Sequence, residues 1–351
     1  MTRLLIPFED WPEADKATWQ TAIRDGDVLD GRGPATNWRP ATRASNIEHY
    51  GRWLSFLARH DLFPAGTAPA DRVTKDHVRT YVDELLARVA PCTVTSVLVG
   101  LKVTIKAMAP DHSWRWLADI CNRLNRDAQP SKDKRPKMRP TGEIVRAAVD
   151  ELDRLGTTSL TRRIDCVAYR DTLMLALLSF RPLRLGNFTG LRIGESFISE
   201  RTGWRIDIPG PDTKNGDPLT FDVPTCLLPY VEVYLTKVRK EFVARASMNT
   251  NALWLGFEGQ NLTAHSIYCR FILVTKRLLG TAINPHLLRD CAATTLSTIS
   301  VDDALIAAPL LGHRNFATTE KYYIRANQIE ASRLMNDALA DIQRDLGETK
   351  K

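Results

Sequence analysis

The sequence predicts a mainly α protein with a small antiparallel β-sheet, arranged as two domains. Three observations lead there. The length, 351 residues, is about two domains' worth. Apolar residues recur at spacings of three and four along most of the chain, the period of a helix packed on one face. Strict alternation replaces that period only around 204–223, in two short runs separated by a connection rich in Pro, Gly and Asn. With 44% hydrophobic and 25% charged residues the composition is that of an ordinary globular chain.

Residues 1–40 hold Pro7, Pro12, Gly26, Gly31, Gly33, Pro34 and Pro40. They read as an irregular arm with one short helix near Ala14–Ile23. Residues 41–125 read as a small helical bundle. Tyr50, Trp53, Leu54, Leu57 and Ala58 share one face of a first helix that begins near Thr42. Thr74 is placed to cap a second, with Val78, Tyr81, Val82, Leu85 and Leu86 on its apolar face. Thr93–Met108 and Trp114–Leu124 make a third and a fourth. Trp53 and Tyr81 read as core. Residues 126–140 break the pattern: three prolines and six basic residues against two acids form a basic linker. A solvated hinge and a strap over a polyanion both fit it.

From 141 a second helical domain is expected, running to 325. Its helices fall at 141–154, 163–180, 225–247, 263–278, 287–298 and 303–311, with a further tail helix at 326–345. Trp204–Ile208 and Leu219–Val223 alternate and form a β-hairpin, with Lys214 in its loop or at a strand end. Residues 326–351 form a tail with Ile329, Met335, Leu339, Ile342 and Leu346 at near-helical spacing; it packs on its own domain or on a neighbouring subunit.

Several classes drop out. Lys and Arg total 48 against 41 acids, a net charge of +7 that suits a polyanionic partner without demanding one. Charge-free stretches are short, so no membrane-spanning helix is expected. The first ten residues carry Pro7, Glu9 and Asp10 where a signal peptide would be apolar, which favours a cytoplasmic protein. The six cysteines form no CxxC pair and read as structural thiols. No nucleotide-binding or metal-binding motif occurs, so no cofactor is expected.

The chemistry concentrates in the last third. His286-Leu287-Leu288-Arg289 places a His and an Arg one helical turn apart, after Asn284-Pro285. Leu311-Gly312-His313 follows, then Thr318-Thr319-Glu320-Lys321-Tyr322-Tyr323. In this order, H-x-x-R, L-G-H and T-T-x-x-Y resemble the tyrosine recombinases, the phage integrase family. The tyrosine nine residues after the second His is Tyr322, which is preferred to Tyr323. The family's first Arg follows an apolar helix and precedes a Leu by seven residues; Arg184, with Leu191, fits after Asp171–Phe180. Arg192, in Thr189-Gly190-Leu191-Arg192, is the competing choice. Arg192 is followed by Ile193-Gly194 and an expected strand, without the helical continuation that slot needs, and Arg184 is preferred. The family's hairpin Lys matches Lys214. The sequence departs from the family's habit at two places: Asn187 stands where an acid often follows the first Arg, and Asp290 where a basic residue often follows the second.

The resemblance implies a DNA strand transferase. Tyr322 would attack a phosphodiester to give a 3′-phosphotyrosine. Arg184 and Arg289 would fork onto the phosphate oxygens, Lys214 would protonate the leaving 5′-oxygen, and His286 and His313 would donate to the phosphate or shuttle a proton. Metal and ATP are not needed. The first domain would be the family's core-binding domain, closing with the second as a clamp on double-stranded DNA. Lys132, Lys134, Arg135, Lys137 and Arg139 of the linker would touch phosphates. Synapsis would call for dimers that pair into a tetramer, with or without a partner recombinase or directionality factor. Two other readings stay open at this point: a type IB topoisomerase, and a non-catalytic DNA-binding accessory protein on the same fold.

Overall fold

The computed structural model describes residues 4–27, 29, 31–63, 66–127, 134–214 and 216–299, together with 332, 335 and 339. The chain divides into two units, Met1–Asp133 and Lys134–Lys351.

The first unit contains α1 (Glu13–Ile23), α2 (Pro40–Arg59), α3 (Lys75–Leu86), α4 (Pro91–Met108) and α5 (Arg115–Asp127). Pro40 and Pro91 occupy the first turns of α2 and α4, where a missing N–H costs nothing, so both helices begin two residues earlier than their apolar pattern suggests. Thr74 caps α3, its Oγ1 accepting from the His77 N–H at 3.2 Å. α4 is the central element and packs on α1, α2, α3 and α5. Its mean hydropathy of 1.2 and 18-residue length would suit a membrane span by composition alone. Here that apolarity is used in the core: Val94, Leu98, Leu101 and Ile105 are fully buried. Gly100 permits close approach of α2, since a Cβ there would sit 2.2 Å from the His49 ring.

The segment read as an irregular arm is built into this core. Trp11 and Trp19 are buried, and the Trp11 and Tyr50 rings meet edge-on at 4.9 Å. Asp15 on α1 is fully buried. Its carboxylate accepts from the Tyr50 hydroxyl at 2.6 Å and from Arg72 Nη2 at 2.6 Å. Arg72 in turn lies over the Phe63 ring at 4.5 Å. Proline and glycine density marked the turns of this segment but hid the anchoring role of its tryptophans.

The second unit opens with α6 (Thr141–Gly156) packed on α7 (Arg163–Phe180). α7 is buried from Tyr169 to Phe180, so it shows no polar face. Its Asp171 receives Arg170 at 2.6 Å and Arg270 at 2.6 Å, which compensates a carboxylate held in the core. The short α8 (Leu185–Thr189) follows. Then come three antiparallel strands in the order β1–β2–β3: β1 (Phe197–Glu200), β2 (Gly203–Ile208) and β3 (Leu219–Asp222). Register pairs Phe197 with Ile206 and Ile208 with Leu219. β1, only four residues long, is the strand expected after Arg192-Ile193-Gly194. The expected helix at 225–247 is interrupted: α9 (Leu228–Val233) passes through a π turn at Tyr234–Val238 into α10 (Arg239–Val243).

α11 (Ala264–Leu279) starts at a Thr263 cap and ends on Gly280 in the left-handed conformation, φ 69°. α12 (Pro285–Ile299) starts where Asn284 Oδ1 accepts the Leu287 N–H at 2.9 Å. The expected helix at 303–311 lies outside the described residues. Of the tail, Ser332, Met335 and Leu339 are described; all three are buried, and Met335 and Leu339 join this unit's hydrophobic core. The six cysteines are free thiols. Cys121, Cys166 and Cys291 are buried and Cys226 half-buried, whereas Cys92 and Cys269 are exposed, so the structural reading does not hold for those two.

Candidate functional site

Three arginines leave the end of α7, and the structure gives them different tasks. Arg181 is fully buried, with Nε donating to the Asp222 carbonyl at 2.9 Å and Nη1 to the Phe180 carbonyl at 3.0 Å. Burial brings its pKa down to about 10. It fastens the turn after α7 to the end of β3. Arg184 is half-buried and heads α8, its carbonyl accepting the Phe188 N–H at 2.9 Å. Trp254 Nε1 holds the far end of α8 through the Phe188 carbonyl at 3.1 Å. Arg192 is exposed, bridges Ala252 in extended backbone and donates to Asn251 Oδ1 at 3.0 Å.

Arg289 comes to the same place from α12. Its side chain is only 8% exposed, and Nη1 donates to the carbonyl of Pro182, two residues before Arg184. Burial lowers its pKa to about 10, the charge of Arg184 adds to the fall, and the carboxylate of Asp290 opposes it. The two guanidiniums therefore share one field, although 105 residues separate them. At neutral pH Arg289 remains a cation. A pair of cations drawn together with one partly desolvated has the charge to hold an anion. His286 stands exposed one turn before Arg289 on α12. Asn187 carries an amide Nδ2 that is buried without an acceptor among the described residues.

Lys214 lies between β2 and β3, as the hairpin reading has it. Thr213 beside it is buried and its Oγ1 bonds to the Gly210 and Asp217 carbonyls at 3.0 and 2.8 Å, which stiffens the base of the loop. Lys214 itself is exposed and makes no hydrogen bond or ion pair among the described residues. His313, Tyr322 and Tyr323 lie outside the described residues, as do Lys132 and the side chain of Arg135. Lys134 and Lys137 are exposed. Arg139 is turned back on its own chain, donating to the Met138 carbonyl at 2.9 Å and facing Glu143 at 3.7 Å.

Asp290 was noted in the sequence only as a departure from pattern. The structure gives it an ion pair with Lys134, Nζ to Oδ2 at 3.4 Å. No spacing rule links positions 156 residues apart, so nothing in the sequence could have signalled it. A cavity of 1050 Å³ with Arg163, Arg170, Phe257 and Arg270 among its lining contains none of the predicted site residues.

The family model described as "Phage integrase family" matches residues 146–329. The tyrosine recombinase XerC of Actinobacillus succinogenes is 28% identical over 183 residues, which cover 52% of this chain and 57% of that protein. XerC of Pseudomonas fluorescens strain Pf0-1 is 28% identical over 160 residues, 45% of this chain and 49% of its own. The chain thus spans about half the length of the curated relatives it matches. Among solved structures, the XerH site-specific recombinase bound to its difH substrate before cleavage superposes with a TM-score of 0.52 at 12% identity, covering 84% of this chain and 78% of that one. The post-cleavage complex on palindromic difH gives 0.51 at 13%, covering 93% and 95%. These two likenesses concern the fold, a helical unit followed by a helical unit with a small sheet. The match over more than half of the chain settles the lineage: the protein belongs to the phage integrase family of tyrosine recombinases.

Proposed function

We propose that this protein is a site-specific DNA recombinase that breaks and rejoins strands through a phosphotyrosine. The observation that carries the reading is the hydrogen bond from Arg289 to the Pro182 carbonyl, which brings it to the turn that carries Arg184. It supports Arg184, rather than Arg192, as the first arginine of the pair.

In the proposed reaction the Tyr322 oxygen attacks the scissile phosphorus and loses its proton to His286, His313 or solvent. The two guanidiniums stabilise the negative charge that grows on the non-bridging oxygens. The bond to the 5′-oxygen breaks, and Lys214 supplies the proton that makes it a good leaving group. The phosphate then remains esterified to tyrosine. Attack by a second strand's 5′-hydroxyl reverses these steps and releases the enzyme, so no outside energy source is consumed. The partners are double-stranded DNA and further copies of this chain. Two units closing on DNA, with Lys132, Lys134, Arg135, Lys137 and Arg139 on phosphates, would make affinity fall steeply with salt. A cytoplasmic, nucleoid-associated location follows from that substrate.

The test is covalent capture. The full chain is mixed with a nicked duplex carrying the end sequence of its own genetic element, without magnesium or ATP, and run on a denaturing gel. A protein–DNA adduct lost in Tyr322→Phe and kept in Tyr323→Phe is the expected result. Tight, salt-sensitive binding with no adduct would refute catalysis and point to an accessory DNA-binding role.

A further inference from the structure

The basic segment that follows residue 133 lies along α12, the helix of His286 and Arg289. Contacts at two points hold it there in matching order. Lys134 pairs with Asp290 at 3.4 Å. The Thr141 N–H donates to Thr295 Oγ1 at 3.1 Å, while Thr295 Oγ1 donates to Thr141 Oγ1 at 3.0 Å. Met138, between these points, packs against the core of the same unit. Asp290 is therefore flanked by two cations of different origin, Lys134 from the segment and Arg289 from the site.

An acid beside an anion site is unfavourable for binding DNA, because it repels the phosphate the arginines attract. Nor does it contribute much to stability: the Lys134 and Asp290 side chains are 68% and 48% exposed, and such pairs are weak. What remains is placement. We propose that Asp290 is a positioning residue for strand cleavage, its carboxylate fixing Lys134 relative to Arg289 so that the phosphate on the basic segment and the phosphate under attack are seated together. This rests on the proposed function and adds a link between the segment joining the two units and the reacting centre. The charge of Asp290 also supports the protonated form of Arg289 against burial and Arg184.

The proposal predicts opposite effects on binding and on rate. Asp290→Asn should bind a generic duplex of about 30 base pairs as tightly as wild type or more tightly, since one repulsive charge is gone. At saturating DNA it should form the covalent adduct about three- to fivefold more slowly, the size of a lost exposed pair. Asp290→Glu should restore most of the rate. Lys134→Met should slow the reaction to a similar degree, and the double variant Lys134→Met with Asp290→Asn should be no slower than either single one. A rate at or above wild type in Asp290→Asn, or additive losses in the double variant, would overturn the proposal. An independent readout is acetylation of lysines by an N-hydroxysuccinimide ester of acetic acid. Lys134 labelling should rise in Asp290→Asn relative to Lys137, and an unchanged ratio would equally overturn it. If wild type forms no adduct, the proposed function has failed, and labelling alone decides whether the pin exists.

Discussion

Replacing Arg289 with lysine keeps a positive charge, and the structure predicts that this is not enough. The surroundings bring the guanidinium down from its ordinary range to about 10. The same burial and the same Arg184 charge would also bring the ammonium of a lysine below its ordinary range. Lysine also presents a point charge where arginine presents a fork, and one arm of that fork now holds the Pro182 carbonyl. Loss of one preorganised donor to a transition-state oxygen costs roughly 10²–10³ in rate. Arg289→Lys should therefore form adduct at least about 100-fold more slowly at pH 7. The protonated amine is the active form, so the variant should lose further activity as pH rises towards the lowered lysine pKa, whereas the wild-type arginine stays charged at those pH values. The assay is single-turnover adduct formation on the nicked duplex at a series of pH values from 6.5 to 9. A variant with the wild-type rate and pH profile would refute the argument that burial and the fork matter.

Four further outcomes follow from other contacts. Arg184→Ala should cut adduct formation by roughly 10²–10³, whereas Arg192→Ala, which loses only an exposed bond to Asn251, should stay within about threefold of wild type. Asp15→Ala should destabilise the first unit by about 3–5 kcal/mol, read by thermal denaturation, because it strands a buried Arg72; a loss below about 1 kcal/mol would contradict the pairing. Hydrogen bonds from Arg154 and Arg277 hold the Glu151 carboxyl below the usual range. Its stabilising contribution is present above the ordinary glutamate pKa and lost as pH falls through the native one, so Tm should drop on acidification, and less so in Glu151→Gln. Lys134→Ala and Lys137→Ala should each reduce the slope of log affinity against log salt by about 0.9, measured by fluorescence anisotropy.

The sequence was most informative where a local rule applies. Helix spans, the Thr74 cap, the Asn284–Pro285 start of α12 and the hairpin around Lys214 all depend on residues within a few positions of each other. It was least informative where a contact spans the chain. Asp15 could be read as a solvated acid on a short helix until Arg72 and Tyr50 were seen around it. The same holds for Lys134 with Asp290. The site showed both behaviours: motif order singled out Arg184 and Arg289 separately, but their proximity through the Pro182 carbonyl is a tertiary fact. The π turn at Tyr234–Val238 has no signal in the apolar spacing, because inserting one residue into a helix changes phase without changing composition.

The buried carboxylate of α1 also constrains the order in which the first unit assembles. Leaving an unpaired charge in a core is expensive, and the cation that neutralises Asp15 is made 57 residues later. Helix α1 therefore has no stable seat until Arg72 is available. Its amides should become protected late in refolding, after those of α2 and α4, in pulse-labelled hydrogen exchange. Early protection of α1 would mean that Trp11 and Trp19 dock it without the ion pair. Helix α1 thus acts as the final latch of this unit, and a change that delays its docking is felt as slow closure of the whole bundle.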